Sequence, residues 1–445
     1  MRPDSAPSFG LRADPSRLIR RSAGLEFPLA VALRKGLIRL LSRLRHGSIR
    51  IDLPDGRRIE RRGTSTGPDA AIALHRWRAL GRLVLRGDLG LAESYRDGDW
   101  STPDLVALMQ FGACNQSALG ASLDATWPVR LLARALHLAR GNSRRGSRRN
   151  IAFHYDMGNA FYACWLDPEL IYSSALYGAE QQSLESAQDA KLARVLELLR
   201  LDHLPEGSRV LEIGCGWGAL ALAIARRQGV HVTGITLSAQ QLAHASGRVA
   251  QSNLGQQVEL KLQDYRDVGG SYDRIVSIEM LEAVGERYWP AYFETIRRRL
   301  HPGGIAVIQV ITIAEEDFLH YRRTTDFIQH FIFPGGMLPT ESALHREAGR
   351  AGLRLHRQSR FGLSYARTLA DWRRRFLASW PAIEALGFDA SFRRLWEYYL
   401  CYCEAGFRSA KIDVGLYVLE HIDSGAQHQR PPRAPRPGAS AKDIG

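Results

Sequence analysis

Ser208-Arg209-Val210-Leu211-Glu212-Ile213-Gly214-Cys215-Gly216-Trp217-Gly218 is a short apolar run that ends in three glycines at alternate positions. Leu211 and Ile213 predict the end of a buried strand. The three glycines remove the Cβ atoms that would keep a bulky ligand off the turn. Ala219 to Gln228 predicts a helix, and a strand, a glycine turn and a helix N-terminus together make the nucleotide cradle of doubly wound folds. The spacing G-x-G-x-G departs from the dinucleotide fingerprint G-x-G-x-x-G, and no G-x-x-x-x-G-K-[ST] sequence is present, which weakens NAD and ATP. S-adenosylmethionine fits the turn better.

Beyond the turn the chain alternates as a parallel sheet requires. Strands are predicted at Val230 to Ile235, Val258 to Leu262, Tyr272 to Ile278 and Ile305 to Ile311, the last launched by the turn His301-Pro302-Gly303-Gly304. Leu353 to Gln358 and Val414 to Glu420 add two further strands. Ligands of such sheets sit outside the carboxyl ends of the strands. Chemistry is therefore expected at Gly214, Thr236, Gln263-Asp264, Glu279 to Glu282 and Gln309 to Thr312.

His154-Tyr155-Asp156-Met157-Gly158-Asn159, Leu166-Asp167-Pro168, Tyr172-Ser173, Leu211 to Gly218, Thr236-Leu237-Ser238, Gln263 to Asp267, Phe333-Pro334-Gly335-Gly336 and Gly406-Phe407-Arg408 together resemble the cyclopropane-fatty-acyl-phospholipid synthase and mycolic acid methyltransferase family. The likeness spans about residues 151 to 420, and Gly90 to Trp100 resembles the end of the family's N-terminal domain more weakly. The resemblance implies an α/β fold: a Rossmann-like methyltransferase domain with a seven-stranded mixed sheet, beside a smaller N-terminal α+β domain. It implies S-adenosylmethionine as methyl donor, contacted by Tyr172, Ser173, Leu211, Glu212, Gly214, Cys215, Gly216, Trp217, Gly218, Thr236, Leu237, Gln241, Asp264 and Tyr265. Thr236 and Gln241 stand where many methyltransferases of this fold carry a ribose-binding carboxylate, and a neutral pair could make the same bonds at lower desolvation cost.

The implied reaction adds a methyl group to the double bond of an unsaturated phospholipid acyl chain. An alkene is a weak nucleophile, so the acyl chain must be held in line with the donor in a dry apolar slot. The resulting carbocation needs stabilisation and then a base. In the family that base is a bound bicarbonate held by a carboxylate, a histidine, a cysteine, a tyrosine and a backbone amide. Glu282, Tyr365 and Ile311 match the carboxylate, the tyrosine and the amide, while Ser174 stands for the cysteine and Gln309 for the histidine. Gln309 cannot become a cation and offers an anion less. Loss of the proton from the new methyl group gives a cyclopropane, and loss elsewhere gives a methyl- or methylene-branched chain; residue types do not choose between them. The aromatic residues from Tyr155 to Tyr177, with Phe327, Phe331, Phe333 and Met337, are candidates for lining the acyl slot.

Composition agrees with this reading. A chain of 445 residues with 45% hydrophobic content can bury more than one core. Lys and Arg number 60 against 46 Asp and Glu, a net charge of +14 that is almost all arginine, which suits an anionic surface. No apolar run reaches the roughly 18 residues of a membrane span, and no secretory segment is recognised. Leu33, Leu37, Leu40, Leu41 and Leu44 form a helical stripe with Arg34, Lys35, Arg39 and Arg43 off it. Such a helix either lies in a headgroup interface or docks on its own domain; a second candidate starts at Trp127. Cys114, Cys164, Cys215, Cys401 and Cys403 lack metal or disulfide spacing, so no metal is expected.

The expected organisation is a disordered segment 1–25, an N-terminal lipid-facing domain 26–140 with a hairpin at Pro54-Asp55-Gly56, a basic linker 141–150, a methyltransferase domain 151–423 and a disordered tail 424–445. The expected partners are a phospholipid bilayer with unsaturated acyl chains, a second copy in a homodimer and, for a methyl-branched product, a redox partner. RNA-stacking motifs are absent, so nucleic acid is not expected. The expected location is cytoplasmic, peripheral to the inner face of the membrane. Two other readings stay open, a methyltransferase for another small molecule and a non-catalytic lipid-binding relative.

Overall fold

The computed structural model describes residues 27–123, 142–143, 146–147, 157–227 and 229–422. The segments 1–25 and 424–445, the helix expected from Trp127, His154-Tyr155-Asp156 and most of the linker 141–150 lie outside the described residues. The chain divides into two compact units, one of Met1–Ala135, Thr324–Phe327 and Gly387–Ser409, the other of Leu136–Arg323, Ile328–Leu386 and Ala410–Gly445.

In the first unit, strands β1 (His46–Asp52), β2 (Arg58–Arg62), β3 (Ser65–Leu74) and β4 (Trp100–Ser101) form a sheet in the order β2-β1-β3-β4. The expected hairpin pairs Ile51 with Ile59 and Asp52 with Arg58, and Gly56 turns it at φ +80. Along the helix Phe27–Leu41 and the turn after it, Leu37, Leu41 and Leu44 are buried while Lys35, Arg39 and Arg43 are exposed. The stripe thus docks in its own unit, the second of the two arrangements open to it.

Helix Ala390–Arg408 packs on the helices Leu105–Cys114 and Arg78–Arg96. It buries Trp396, Tyr399, Leu400, Cys401 and Phe407, and Tyr95 donates to Glu397 at 3.1 Å. This differs from the continuous domain expected over 151–423: the apolar face of 390–408 belongs to the first unit, and Gly406-Phe407-Arg408 goes with it. Phe327 also lies there, its ring 4.7 Å from that of Tyr398.

The second unit is built on seven strands in the order β10-β11-β9-β8-β5-β6-β7, where β5 is Ser208–Ile213, β6 Val230–Thr236, β7 Val258–Leu262, β8 Tyr272–Ile278, β9 Leu300–Ile313, β10 Leu353–Arg360 and β11 Ile412–His421. Strands β5 to β9 pair in parallel, and β11 runs antiparallel between β9 and β10. This is the mixed Rossmann-like sheet that the sequence predicts. Its order reverses between β5 and β8, the switch point where such folds bind ligands. The register of β8 on β9 jumps from Tyr272↔Leu300 to Arg274↔Ile305, so His301 to Gly304 bulge out of the ladder. Asn142 and Ser147, within the expected basic linker, are buried; Asn142 Nδ2 donates to Gly335 O at 2.7 Å.

Helix Trp289–Arg299 illustrates the packing. Trp289, Tyr292, Phe293 and Ile296 follow helical spacing and are buried, while Arg297, Arg298 and Arg299 crowd the last turn and favour the helix dipole. They join Leu211, Ile275, Ala306 and Ile308 in one core cluster, each large side chain contributing about 1.5–3 kcal/mol by burial. Phe293→Ala should therefore cost about 3–5 kcal/mol, measured by denaturant unfolding; a loss below about 1 kcal/mol would show that the helix is not anchored there.

Candidate active site

The glycine turn lies at the carboxyl end of β5. Gly214 N and Cys215 N both donate to Ile235 O, at 3.0 and 2.9 Å, which ties the turn to β6. Gly216 has φ +52, and a Cβ there would meet nothing within 4 Å: this glycine borders open space. Gly218, at φ +88, would place a Cβ 3.1 Å from Ala245 Cβ, so it serves the close approach of helix Ala239–Gln251. Leu211 and Cys215 are buried. Leu211 is core, and Cys215 packs beneath Gly234, where a Cβ would come within 3.1 Å of the Cys215 Cβ.

Around this turn the structure brings together most of the expected cofactor residues. Thr236 Oγ1 donates to Gln241 Oε1 at 2.9 Å and accepts from Ser238 N, so the neutral pair meets at the end of β6. Leu237 follows, half-buried. Asp264 is gripped by Arg266 through Nε and Nη2, at 2.8 and 2.6 Å. Tyr265 is buried, and its hydroxyl has no partner among the described residues. Glu212 is also buried with Oε2 unpartnered, and burial pushes its carboxyl above the ordinary range. An open glycine and two orphaned polar atoms fit a polar cofactor whose donors and acceptors would complete them.

Two residues were not anticipated here. Lys191 is 2% exposed, and its Nζ donates to Ser173 Oγ at 2.9 Å. Burial lowers its ammonium, while Glu279, Asp167 and Glu212 pull it back up. Gln188 donates to Ser173 O at 3.0 Å. Both sit on the buried stripe Leu184, Ala187, Gln188, Lys191, Val195 and Leu199 of helix Leu184–Leu199; two polar residues on an apolar helical face were the available signal.

From the turn an unbroken chain of rings leads to the carboxylates. Trp217 lies 5.1 Å from Tyr162, Tyr162 is 5.5 Å from Tyr172, Tyr172 is 5.2 Å from Trp372, and Trp372 is 6.1 Å from Tyr365. Phe161, Tyr162 and Trp165 are fully buried; Phe161 and Trp165 pack against Tyr162, itself a member of the ring chain, and none of the three lines an open slot.

The base site differs from the expected one. Glu279, on the residue after β8, accepts from Ser174 N at 2.9 Å and Gln309 Nε2 at 2.7 Å through Oε1, and from Tyr365 Oη at 2.6 Å through Oε2. Glu282 Oε1 accepts from Ile311 N at 2.5 Å, and its Oε2 has no partner among the described residues. The Ser174 hydroxyl turns away to Ala175 O, so Ser174 contributes its amide rather than its side chain. The donors expected to hold a bicarbonate are therefore engaged by two carboxylates of the chain itself, and this arrangement does not fit a bound bicarbonate. Glu279 also has φ +49, a left-handed conformation that costs about 1–2 kcal/mol in a residue with a side chain.

Residues 142–416 match the family model described as mycolic acid cyclopropane synthetase. The chain belongs to that family. It is an S-adenosylmethionine-dependent methyltransferase of the cyclopropane synthase type. The tuberculostearic acid methyltransferase UfaA1 of Mycobacterium tuberculosis is 39% identical over 417 residues, 88% of this chain and 92% of the relative. The cyclopropane-fatty-acyl-phospholipid synthase of Escherichia coli is 36% identical over 350 residues, 78% and 87% of the two chains. Among solved structures, the mycolic acid cyclopropane synthase CmaA1 complexed with SAH and CTAB superposes with a TM-score of 0.56 at 30% identity, covering 61% of this chain and 97% of its own.

Two outcomes test this geometry. Gly216→Ala adds a methyl group to the open face of the turn, so S-adenosylmethionine affinity should fall at least about tenfold in calorimetry while the fold loses only about 1–2 kcal/mol to the left-handed backbone. Unchanged affinity would place the cofactor elsewhere. Burial and the charge of Glu279 push Glu282 up to about 8 from 4.5. The folded state thus holds a proton that the unfolded chain lacks between those values, so this contribution to stability is fully present below about 4.5, declines as pH rises and is gone above about 8. Thermal melts of Glu282→Gln should fall less steeply than wild type between about pH 5 and 8 and run parallel to it above that; parallel curves over the whole range would mean that Glu282 is ionised throughout.

Proposed function

We propose that this enzyme methylates the double bond of unsaturated phospholipid acyl chains, at the cytoplasmic face of a membrane, giving a cyclopropane or a methyl- or methylene-branched chain. The observation that carries the reading is the chain of rings from the glycine turn to Glu279 and Glu282. S-adenosylmethionine supplies an electrophilic methyl group at the turn. A carbocation formed beyond it would face aromatic π-density and a fixed carboxylate, the two environments that stabilise positive charge without water. Nucleophilic nitrogen or oxygen substrates need neither.

The names of the relatives support the same substrate class, since one methylates toward tuberculostearic acid and another acts on fatty acyl phospholipids. The surplus of arginine over acidic residues, +14 overall, favours an anionic lipid surface.

The experiment is incubation with S-adenosylmethionine and vesicles of dioleoyl phosphatidylglycerol, followed by mass spectrometry of the released fatty acids. One added carbon on the acyl chain is expected, with chromatography separating ring from branch. An unmodified acyl chain, or label confined to the headgroup, would refute the reading.

A further inference from the structure

We infer that Glu279 is the base that removes the proton after methyl transfer, a carboxylate built into the chain in place of a bound anion. The inference rests on the acyl-chain reading above.

A carboxylate offers about four lone-pair positions. Ser174 N and Gln309 Nε2 fill two on Oε1, and Tyr365 Oη fills one on Oε2. One position on Oε2 is left. The three donors come from different parts of the chain: the loop before helix Leu184–Leu199, strand β9, and the first turn of helix Gly362–Ala378. Glu279 N itself donates to Gln309 O at 2.8 Å, which fixes the backbone below the carboxylate. A group so held cannot swing, and it keeps its strained φ of +49 because four hydrogen bonds determine it.

Glu282 is less suited to the task. Among the described residues its carboxylate accepts only from the backbone amide Ile311 N, and Oε2 has no donor. Burial raises both carboxyls, but the bonds from Tyr365, Ser174 N and Gln309 pull Glu279 back down, whereas Glu282, with Ile311 N as donor and the Glu279 charge beside it, is pushed up to about 8; of the two, Glu279 is the one built to carry the charge.

The step balances as follows. The alkene pair forms the new C–C bond to the donated methyl carbon as the C–S bond breaks, the pair of that bond staying on sulfur. The cation gives one proton to Glu279 Oε2. The electrons of the broken C–H bond close the ring or form a new double bond, and Glu279 returns the proton to water before the next turnover.

The test uses the full-length enzyme with dioleoyl phosphatidylglycerol vesicles in buffer stripped of carbon dioxide. Wild type should turn over equally with and without added bicarbonate. Glu279→Gln should lower kcat by about 10²–10⁴-fold while S-adenosylmethionine affinity stays within about threefold. Glu279→Ala leaves a hole the size of a carboxylate, and added bicarbonate or formate should restore part of its turnover, which a purely structural role would not allow. Wild-type dependence on bicarbonate, a Gln variant within about threefold of wild type, or an Ala variant that no small carboxylate rescues would each overturn the assignment. Absence of methylated product from wild type would instead refute the acyl-chain reading.

Discussion

A carboxylate taken out of water has to be surrounded by donors or it gives up its charge, and Glu279 meets that demand with three donors drawn from three separate segments. The constraint reaches outward. Tyr365 must start its helix at Gly362, where Gly362 N is itself bonded to Asp413 Oδ1 at 2.9 Å. Gln309 must lie on β9 where Leu416 of β11 pairs with it. Ser174 must bring its amide inward, which the buried Gln188 and Lys191 secure by holding Ser173. This end of the sheet is therefore organised around one carboxylate, and helix, strand and loop positions answer to it.

The sheet itself was legible from residue patterns. Short apolar runs bounded by Gly and Pro, together with the glycine turn, located every strand from β5 to β11 to within a few residues, because hydrophobic periodicity survives in the linear chain. The pairing of Thr236 with Gln241 was also visible, since both lie at one strand end and the first turn after it.

The base site was legible only in part. The family resemblance pointed to Glu282, Tyr365, Gln309, Ile311 and Ser174, and all five lie at or beside the carboxylates. What a sequence does not carry is which atom of a residue faces inward. Ser174 acts through its amide, with its hydroxyl satisfied locally, and Glu279 enters the site by a left-handed turn of backbone that no composition rule announces. Lys191 was hidden for a related reason: a lysine on a helix is normally taken as solvated. The placement of residues 390–408 was equally out of reach, because it depends on contacts with residues about three hundred positions earlier in the chain, and Phe327 is placed in turn by its contact with Tyr398.

Helix Ala390–Arg408 lies between β10 and β11 in sequence, yet it belongs to the unit that begins near the N-terminus. Strand β11, buried from Val414 to Leu419, enters the centre of the β10-β11-β9 edge only after that excursion. During synthesis the ribosome must therefore release nearly the whole polypeptide before the sheet can be completed. Until then β9 and β10 present unpaired edges to solvent or to a chaperone. Neither unit can be excised by a single cut, and a fragment ending before residue 412 would lack the strand that joins its two outermost neighbours.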